Sequence, residues 1–407
     1  MFEERKYSGR SSGSRASGGG RSLMPPEPYV PGIMEGRPLS PRWQMLDKVT
    51  KVAEGESGNV FEVTIYGGGT YFLKVGNNSR ESLKEAYATN FIHIMGEETG
   101  VYVPVTQYCP RGERDYNDLF LRLKFEEGEG EDKWAELLRK KLTDLKTKGF
   151  LLMEKVVGET RVPDHCDPAS VEWYEKHPEV SVWIGQMLGM DVVMGNWDRF
   201  LQIFHPENFL FLPKSQGVMA IDQTVSFNML NDFTNRVLHS DGELMKTVSP
   251  HTMRCNTADN DNYEEGAFGL SRLANSEKFM LAGQVSEKLG VLLKDFTQKF
   301  LAGGSGDSAI FSWFFPTMEI NFMPDMALME AGFMQALLSI TRSPDLMDKL
   351  TKANPSSGFF EESKGVGMNV RKLSRLLEES EVRKKARGLI ARIFQEKSLD
   401  PADFVRK

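Results

Sequence analysis

The sequence predicts an α+β protein of two lobes, a β-rich N-terminal lobe followed by a mostly helical C-terminal lobe. Three observations carry this. Two β-rich runs, residues 60–66 (VFEVTIY) and 70–75 (TYFLKV), flank the triplet Gly67-Gly68-Gly69 and read as a hairpin. One apolar run, residues 149–157 (GFLLMEKVV), reads as a buried strand that ends the β-rich part at Gly158. Beyond it, apolar residues recur at helical spacing over about 275–300, 325–341, 368–379 and 382–396. Two such lobes leave a cleft between them, a common place for a ligand.

The bulk numbers agree with one large two-lobed domain. A chain of 407 residues, 40% of them hydrophobic, can bury a sizeable core. The net charge of -7 disfavours a nucleic-acid partner, which usually meets a basic surface. A mildly acidic enzyme still holds a nucleotide through a few local groups. The three cysteines, Cys109, Cys166 and Cys255, form no CxxC pair, so neither a disulfide framework nor a zinc site is indicated. A reducing, cytoplasmic setting is expected. No run approaches the ~20 apolar residues of a membrane span. The first residues lack the apolar core of a secretory signal, and Glu3 and Glu4 speak against a transit peptide.

In chain order, residues 1–42 are rich in Gly, Ser, Arg and Pro and read as a disordered tail. The N-lobe is assigned to 43–157, with a charged insertion at about 110–148. After the hairpin, residues 79–95 have helical spacing, with Ser79 as a candidate cap and Gly96 beyond the end. Residues 101–108 (VYVPVTQY) and 118–124 (DLFLRLK) read as further strands. The acidic EEGEGED segment leads into an amphipathic helix over KWAELLRKKLTDLKTK. The C-lobe is assigned to 158–407 with a C-terminal helical extension. It opens on SVWIGQMLGMDVVM at 181–194, apolar except for Gln186 and Asp191, as expected of a central buried helix. Short strands follow at 208–212 and 217–222. No repeat of solenoid or propeller period is visible.

Phosphoryl transfer needs backbone amides over the phosphates, a lysine on phosphate oxygens, oxygen ligands for magnesium and an aspartate facing the attacking hydroxyl. The chain offers each in order. Gly55, Ser57 and Gly58 in GESGNVFEV precede a strand, where glycines let backbone approach phosphate; an ordinary turn has the same look. Lys74 lies on a strand between apolar neighbours, a costly place without an anion. Glu81 and Glu85 share a face of the next helix. Glu85 is preferred as the lysine's partner, because it precedes the apolar stretch that docks on the sheet. In FLLMEKVVGE, backbone groups of Glu154 and Val156 could meet an adenine edge with Met153 beside the ring. The strongest set is DVVMGNWDRF followed by Asn208 and by Asp222. Asn196, Asp198 and Arg199 cluster where the buried helix ends, and two short strands carry Asn208 and Asp222 towards one point. An amide and a carboxylate there suit magnesium, a hard cation.

GNWDR, Asn208 and Ile221-Asp222 resemble the catalytic pattern of the actin-fragmin kinase family, and more distantly the GDRH…N…D pattern of phosphoinositide kinases. MEKV at 153–156 also resembles the hinge of ordinary protein kinases. The likeness spans roughly residues 45–340. It implies a bilobed protein-kinase-like fold and a Ser/Thr protein kinase using ATP and Mg2+. On that resemblance Lys74 binds ATP phosphates and Glu85 positions it. Asp198 is the catalytic base, and Asn208 and Asp222 are the magnesium ligands. The partner implied is a protein substrate, with actin as an extrapolation. A lipid or small-molecule kinase on the same fold, or a kinase-like binding protein without catalysis, are the alternatives. The chain departs from the pattern in three ways. The stretch from Asp198 to Asn208 is long, Gln223-Thr224 follows Asp222 in place of Phe-Gly, and no kelch-type repeats follow. His165-Cys166 and His239 have no partners at ligand spacing, residues 322–334 read as Met-rich core, and the acidic 255–266 stretch reads as a solvated loop.

Overall fold

The computed structural model describes residues 39, 41–55, 58–76, 79–95, 99–125, 133–156, 168–196, 199, 208–212, 217–223, 225, 227–238, 275–303, 308–312, 324–353 and 361–404. Residues 1–38 and 40 of the tail, Ser57, the EEGEGED segment, His165-Cys166, Asp198, His239 and the 255–266 stretch lie outside the described residues. Pro31–Lys407 forms one compact unit.

Five antiparallel strands build the N-terminal sheet: β1 (Leu46–Gly55), β2 (Gly58–Ile65), β3 (Gly69–Gly76), β5 (Thr106–Pro110) and β6 (Gly149–Glu154), in the order β1-β2-β3-β6-β5. The β2–β3 turn runs through Gly67 at φ 67° and closes with Gly68 N–H donating to Ile65 O at 2.9 Å. Period-two alternation splits β3 between two surfaces. Leu73 and Val75 join Phe61, Val63, Phe150 and Leu152 in a buried cluster on one side, while Phe72 and Lys74 line a cleft on the other. Burying such side chains contributes roughly 1.5–3 kcal/mol each.

Helix α1 (Ser79–Met95) follows with the bounds its periodicity predicts. It has no strongly polar face. Ser82, Glu85 and Thr89 are buried, and Tyr87, Ala88, Phe91 and Ile92 belong to the larger core. A helix covered all round suits a place between sheet and helical lobe.

Two expectations are corrected. Residues 118–124 are not a strand: α2 spans Arg114–Phe125. The local alternation of Leu119, Leu121 and Leu123 imitates a strand, but Tyr116, Leu119 and Leu123 supply a helical face that packs under the sheet, leaving Leu121 exposed. Nor is 101–108 one strand. β4 (Val101–Tyr102) leaves the first sheet to pair in parallel with β8 (Val218–Ala220), which pairs with β7 (Phe209–Phe211) in a separate three-stranded sheet. Proline at 104 cannot donate to a ladder, and the chain changes sheets there. Helix α3 occupies Lys133–Thr143 within the charged insertion.

The C-terminal region is helical, so the architecture is α+β and bilobed. Helices α4 (Pro168–Lys176) and α5 (Glu179–Met194) open it. Then come α6 (Phe227–Val237), α7 (Asn275–Ala302), α8 (Met326–Arg342), α9 (Leu346–Ala353), α10 (Glu361–Leu376) and α11 (Ser380–Glu396). Helix α5 is buried from Val180 to Met194 and is the centre of the large core. Gly185 on α5 and Gly332 on α8 let two backbones meet. A Cβ on Gly185 would lie 1.9 Å from Met329 O, and one on Gly332 would lie 2.1 Å from Val182 O. Among the described residues no helix is long and apolar enough to cross a membrane.

Candidate active site

The cleft side of the sheet meets the β7–β8 sheet across a cavity of about 360 Å³. Gly58, Val60, Phe72 and Lys74 form one wall. Thr106, Met153, Glu154 and Val156 form the edge, and Asn208, Leu210, Ile221, Asp222 and Gln223 face them. Glu85 and Thr89 reach the cavity from α1.

Lys74 is the charge at its centre. Its Nζ stands 2.8 Å from Glu85 Oε2 and 2.6 Å from Asp222 Oδ1. The side chains of Lys74 and Glu85 are each 9% exposed, whereas that of Asp222 is 48% exposed. Burial alone would lower the lysine's pKa; the Glu85 and Asp222 carboxylates outweigh it, and the net direction is up. The ammonium therefore stays charged in the pH range where proteins work. Of the two glutamates on α1, Glu85 makes the pair; the side chain of Glu81 lies outside those described.

The element order explains the convergence. Lys74 sits on the central strand β3, opposite Val60 on β2 and Leu151 on β6. Glu85 is carried in by the helix that follows. Asp222 comes just after β8, and its backbone is left-handed at φ 53°. Aspartate tolerates that conformation better than most residues. Asn208 precedes β7, and its carbonyl accepts from Ile221 N–H at 3.1 Å, which brings it beside the Ile221-Asp222 step.

Gly58 has a reason of its own. At φ 141° it sits where a Cβ would come 2.4 Å from Val75 O, so the bare backbone is needed for strand packing as well as for lining the cavity. Gly55 pairs with Gly58 across the β1–β2 ladder. At the edge, Glu154 N–H already donates to Val105 O at 2.9 Å. An adenine edge could thus use the Glu154 carbonyl and the Val156 backbone, not the Glu154 N–H.

One part of the site was not foreseen. Arg199 is fully buried and forms an ion pair with Asp191, a carboxylate in the apolar run of α5. Its Nε donates to Asp191 Oδ2 at 2.8 Å and its Nη2 to Asp191 Oδ1 at 3.1 Å. Its Nη1 donates to Ile221 O at 2.7 Å, and its Nη2 also donates to Gln223 Oε1. Asn196 Nδ2 joins the same acceptors, Asp191 Oδ1 at 2.9 Å and Gln223 Oε1 at 3.3 Å. Helix α5 stops at Gly195 in a left-handed cap, and both Gly195 N–H and Asn196 N–H donate to Asp191 O. The available signal was Asp191 itself, a carboxylate in an apolar helix that needs a cation.

The donor set fits a magnesium ion. Asn208 and Asp222 offer oxygens at the cavity, and the half-exposed Asp222 carboxylate is open to a hydrated cation. Among the described residues no group of three or more His, Cys, Asp or Glu side chains could hold a metal alone. Magnesium takes one or two carboxylates and completes its shell with water and phosphate oxygens.

No family model matches the chain, and no curated protein matches it. Among solved structures it is similar to a "putative aminoglycoside phosphotransferase" from Ralstonia eutropha JMP134, at 13% identity over 81% of this chain and 93% of that one, with a TM-score of 0.26. So loose a superposition carries no weight on fold, activity or substrate.

Proposed function

We propose that the chain is an ATP-dependent phosphotransferase and, more narrowly, a Ser/Thr protein kinase resembling actin-fragmin kinase. The observation that supports it most is the convergence of Lys74, Glu85 and Asp222 at one cavity whose edge is the backbone of residues 153–156. A buried ammonium held by one buried and one half-exposed carboxylate suits a triphosphate. The phosphate oxygens can take over the contact that Asp222 makes, while Glu85 keeps the lysine aimed.

In this reading the base lies against Met153, Glu154 and Val156, with Phe72 and Val60 above and Leu210 and Ile221 below. Lys74 binds phosphate oxygens. Asn208 and Asp222 would hold Mg2+, which supplies charge neutralisation on the β- and γ-phosphates. The acceptor hydroxyl oxygen attacks the γ-phosphorus as the bond to the β–γ bridging oxygen breaks. ADP leaves, and the hydroxyl proton passes to the Asp198 carboxylate. The protein's part is positioning and electrostatics. The protein acceptor, and actin in particular, rest on the motif at 191–222 alone. A cytoplasmic setting accords with Cys109, which is a buried free thiol.

The test is incubation with labelled ATP and Mg2+ plus a cell lysate, followed by identification of the labelled species. A labelled protein, at actin's size in the narrowest form, is expected. Label only in lipid or a small molecule would move the acceptor class, and no label anywhere would end the enzyme reading. Lys74→Met and Asp222→Asn should each lower transfer by about 10²-fold or more, with the far-ultraviolet spectrum unchanged. Asparagine is the right replacement at 222 because it also accepts the left-handed backbone. Asp198→Ala should be as damaging.

A further inference from the structure

The Arg199 network joins two short segments, and the residues it grips in the second flank Asp222. Asn196 and Arg199 lie on either side of Asp198 in sequence. Ile221 and Gln223 are the immediate neighbours of Asp222. Arg199 donates to both of those neighbours, to Ile221 O at 2.7 Å and to Gln223 Oε1. Asn196 donates to Gln223 Oε1 as well, at 3.3 Å. The Gln223 side-chain oxygen is therefore a point where Asn196 and Arg199, beyond the end of α5, are fastened to the segment bearing Asp222.

The surroundings make this junction rigid. Arg199, Asn196, Asp191 and Gln223 are all buried. The Asp191 carboxylate fixes Arg199 through two bonds, and Asp191 belongs to α5, which is buried from Val180 to Met194. Charge-assisted bonds in such a setting are stronger and geometrically stricter than neutral ones. Asp222, held between two anchored neighbours, sits in a left-handed conformation at φ 53°. Backbone of that kind persists when its surroundings over-determine it.

Gln223 has a second property. Its Nε2 is buried and has no hydrogen-bond partner among the described residues, although the side chain lines the cavity. A lone buried donor costs roughly 1–3 kcal/mol. A purely structural clamp would be better served by a side chain without it.

We propose that Gln223 is a positioning residue for phosphoryl transfer: its amide oxygen, held by Arg199 and Asn196, sets the separation and orientation of the Asp222 segment relative to the end of α5. This rests on the phosphotransferase reading above. It goes beyond that reading by giving a rate-determining role to a residue that touches neither of the reacting oxygens.

The test compares Gln223→Met and Gln223→Glu with the unaltered full chain, using MgATP turnover read as ADP release, with an acceptor hydroxyl or water taking the γ-phosphoryl group. Methionine keeps the length and removes the acceptor; Arg199 retains Asp191 and Ile221 O, so the fold should hold. Glutamate keeps an acceptor oxygen for Arg199 and Asn196. The expected result is a kcat lowered about ten- to a hundredfold in Gln223→Met, the range for a misplacement of ~1 Å. Its KM for ATP should stay within about threefold, and most of the rate should return in Gln223→Glu. Equal kcat in all three proteins, an effect on KM alone, equal loss in both variants, or loss of the cooperative melting transition in Gln223→Met each overturns the proposal while leaving the site reading intact. Absence of ADP release by the unaltered protein is a distinct result that removes both.

Discussion

Lys74 is an amine that burial alone would discharge, and two carboxylates keep it charged. The opposite case is Cys109. Burial pushes its thiol up, and nearby Asp115 and Glu113 push in the same direction; burial does the same to the Tyr87 phenol. Both groups keep their protons in the folded chain at pH values where the unfolded chain loses them. The folded state then binds more protons, so stability is full below the ordinary thiol value of 9.0 and falls as pH rises past it. The slope is about 1.4 kcal/mol per pH unit for each such group. Melting temperature should drop steadily above about pH 9, and less steeply in Cys109→Ala. Parallel curves for the two proteins would contradict the assignment. At this scale much was legible. A lysine between apolar neighbours announces an anion, and Glu85 announces itself by preceding the docked face of α1. Arg199 was harder, because its partner Asp191 lies on the far side of a helix end and only folding brings the two together.

Elements show where periodicity decides and where it misleads. The bounds of α1 follow from its spacing, whereas α2 hides behind an alternation that a strand would share. What settles α2 is the core beneath the sheet, which a local pattern does not contain. Helix contact gives a sharper test. Gly185 and Gly332 sit where α5 and α8 touch backbone to backbone, so Gly185→Ala should destabilise by about 1–3 kcal/mol or more. Gly388 lies on the exposed face of α11 with nothing within 4 Å of an added Cβ. There alanine should stabilise by roughly 1 kcal/mol through helix propensity. Thermal or denaturant melting of the two variants checks both signs. Equal shifts would contradict the packing described.

For the whole molecule, two cores stand on either side of one cavity, and each contributes part of it. The sheet brings Lys74, α1 brings Glu85, and the short β7–β8 sheet brings Asn208 and Asp222. The order of lobes was legible because glycine-punctuated β runs come first and helical spacing afterwards. The switch of β4 to the second sheet was not, since parallel pairing of residues more than a hundred apart leaves no local mark. The most direct measurement is a crystal structure grown with Mn2+ and a non-hydrolysable ATP analogue, with the metal located by its anomalous scattering. The base should lie at Met153–Val156, Lys74 should contact phosphate, and the manganese should bind Asn208 and Asp222. A nucleotide bound elsewhere, or manganese away from Asp222, would contradict the account.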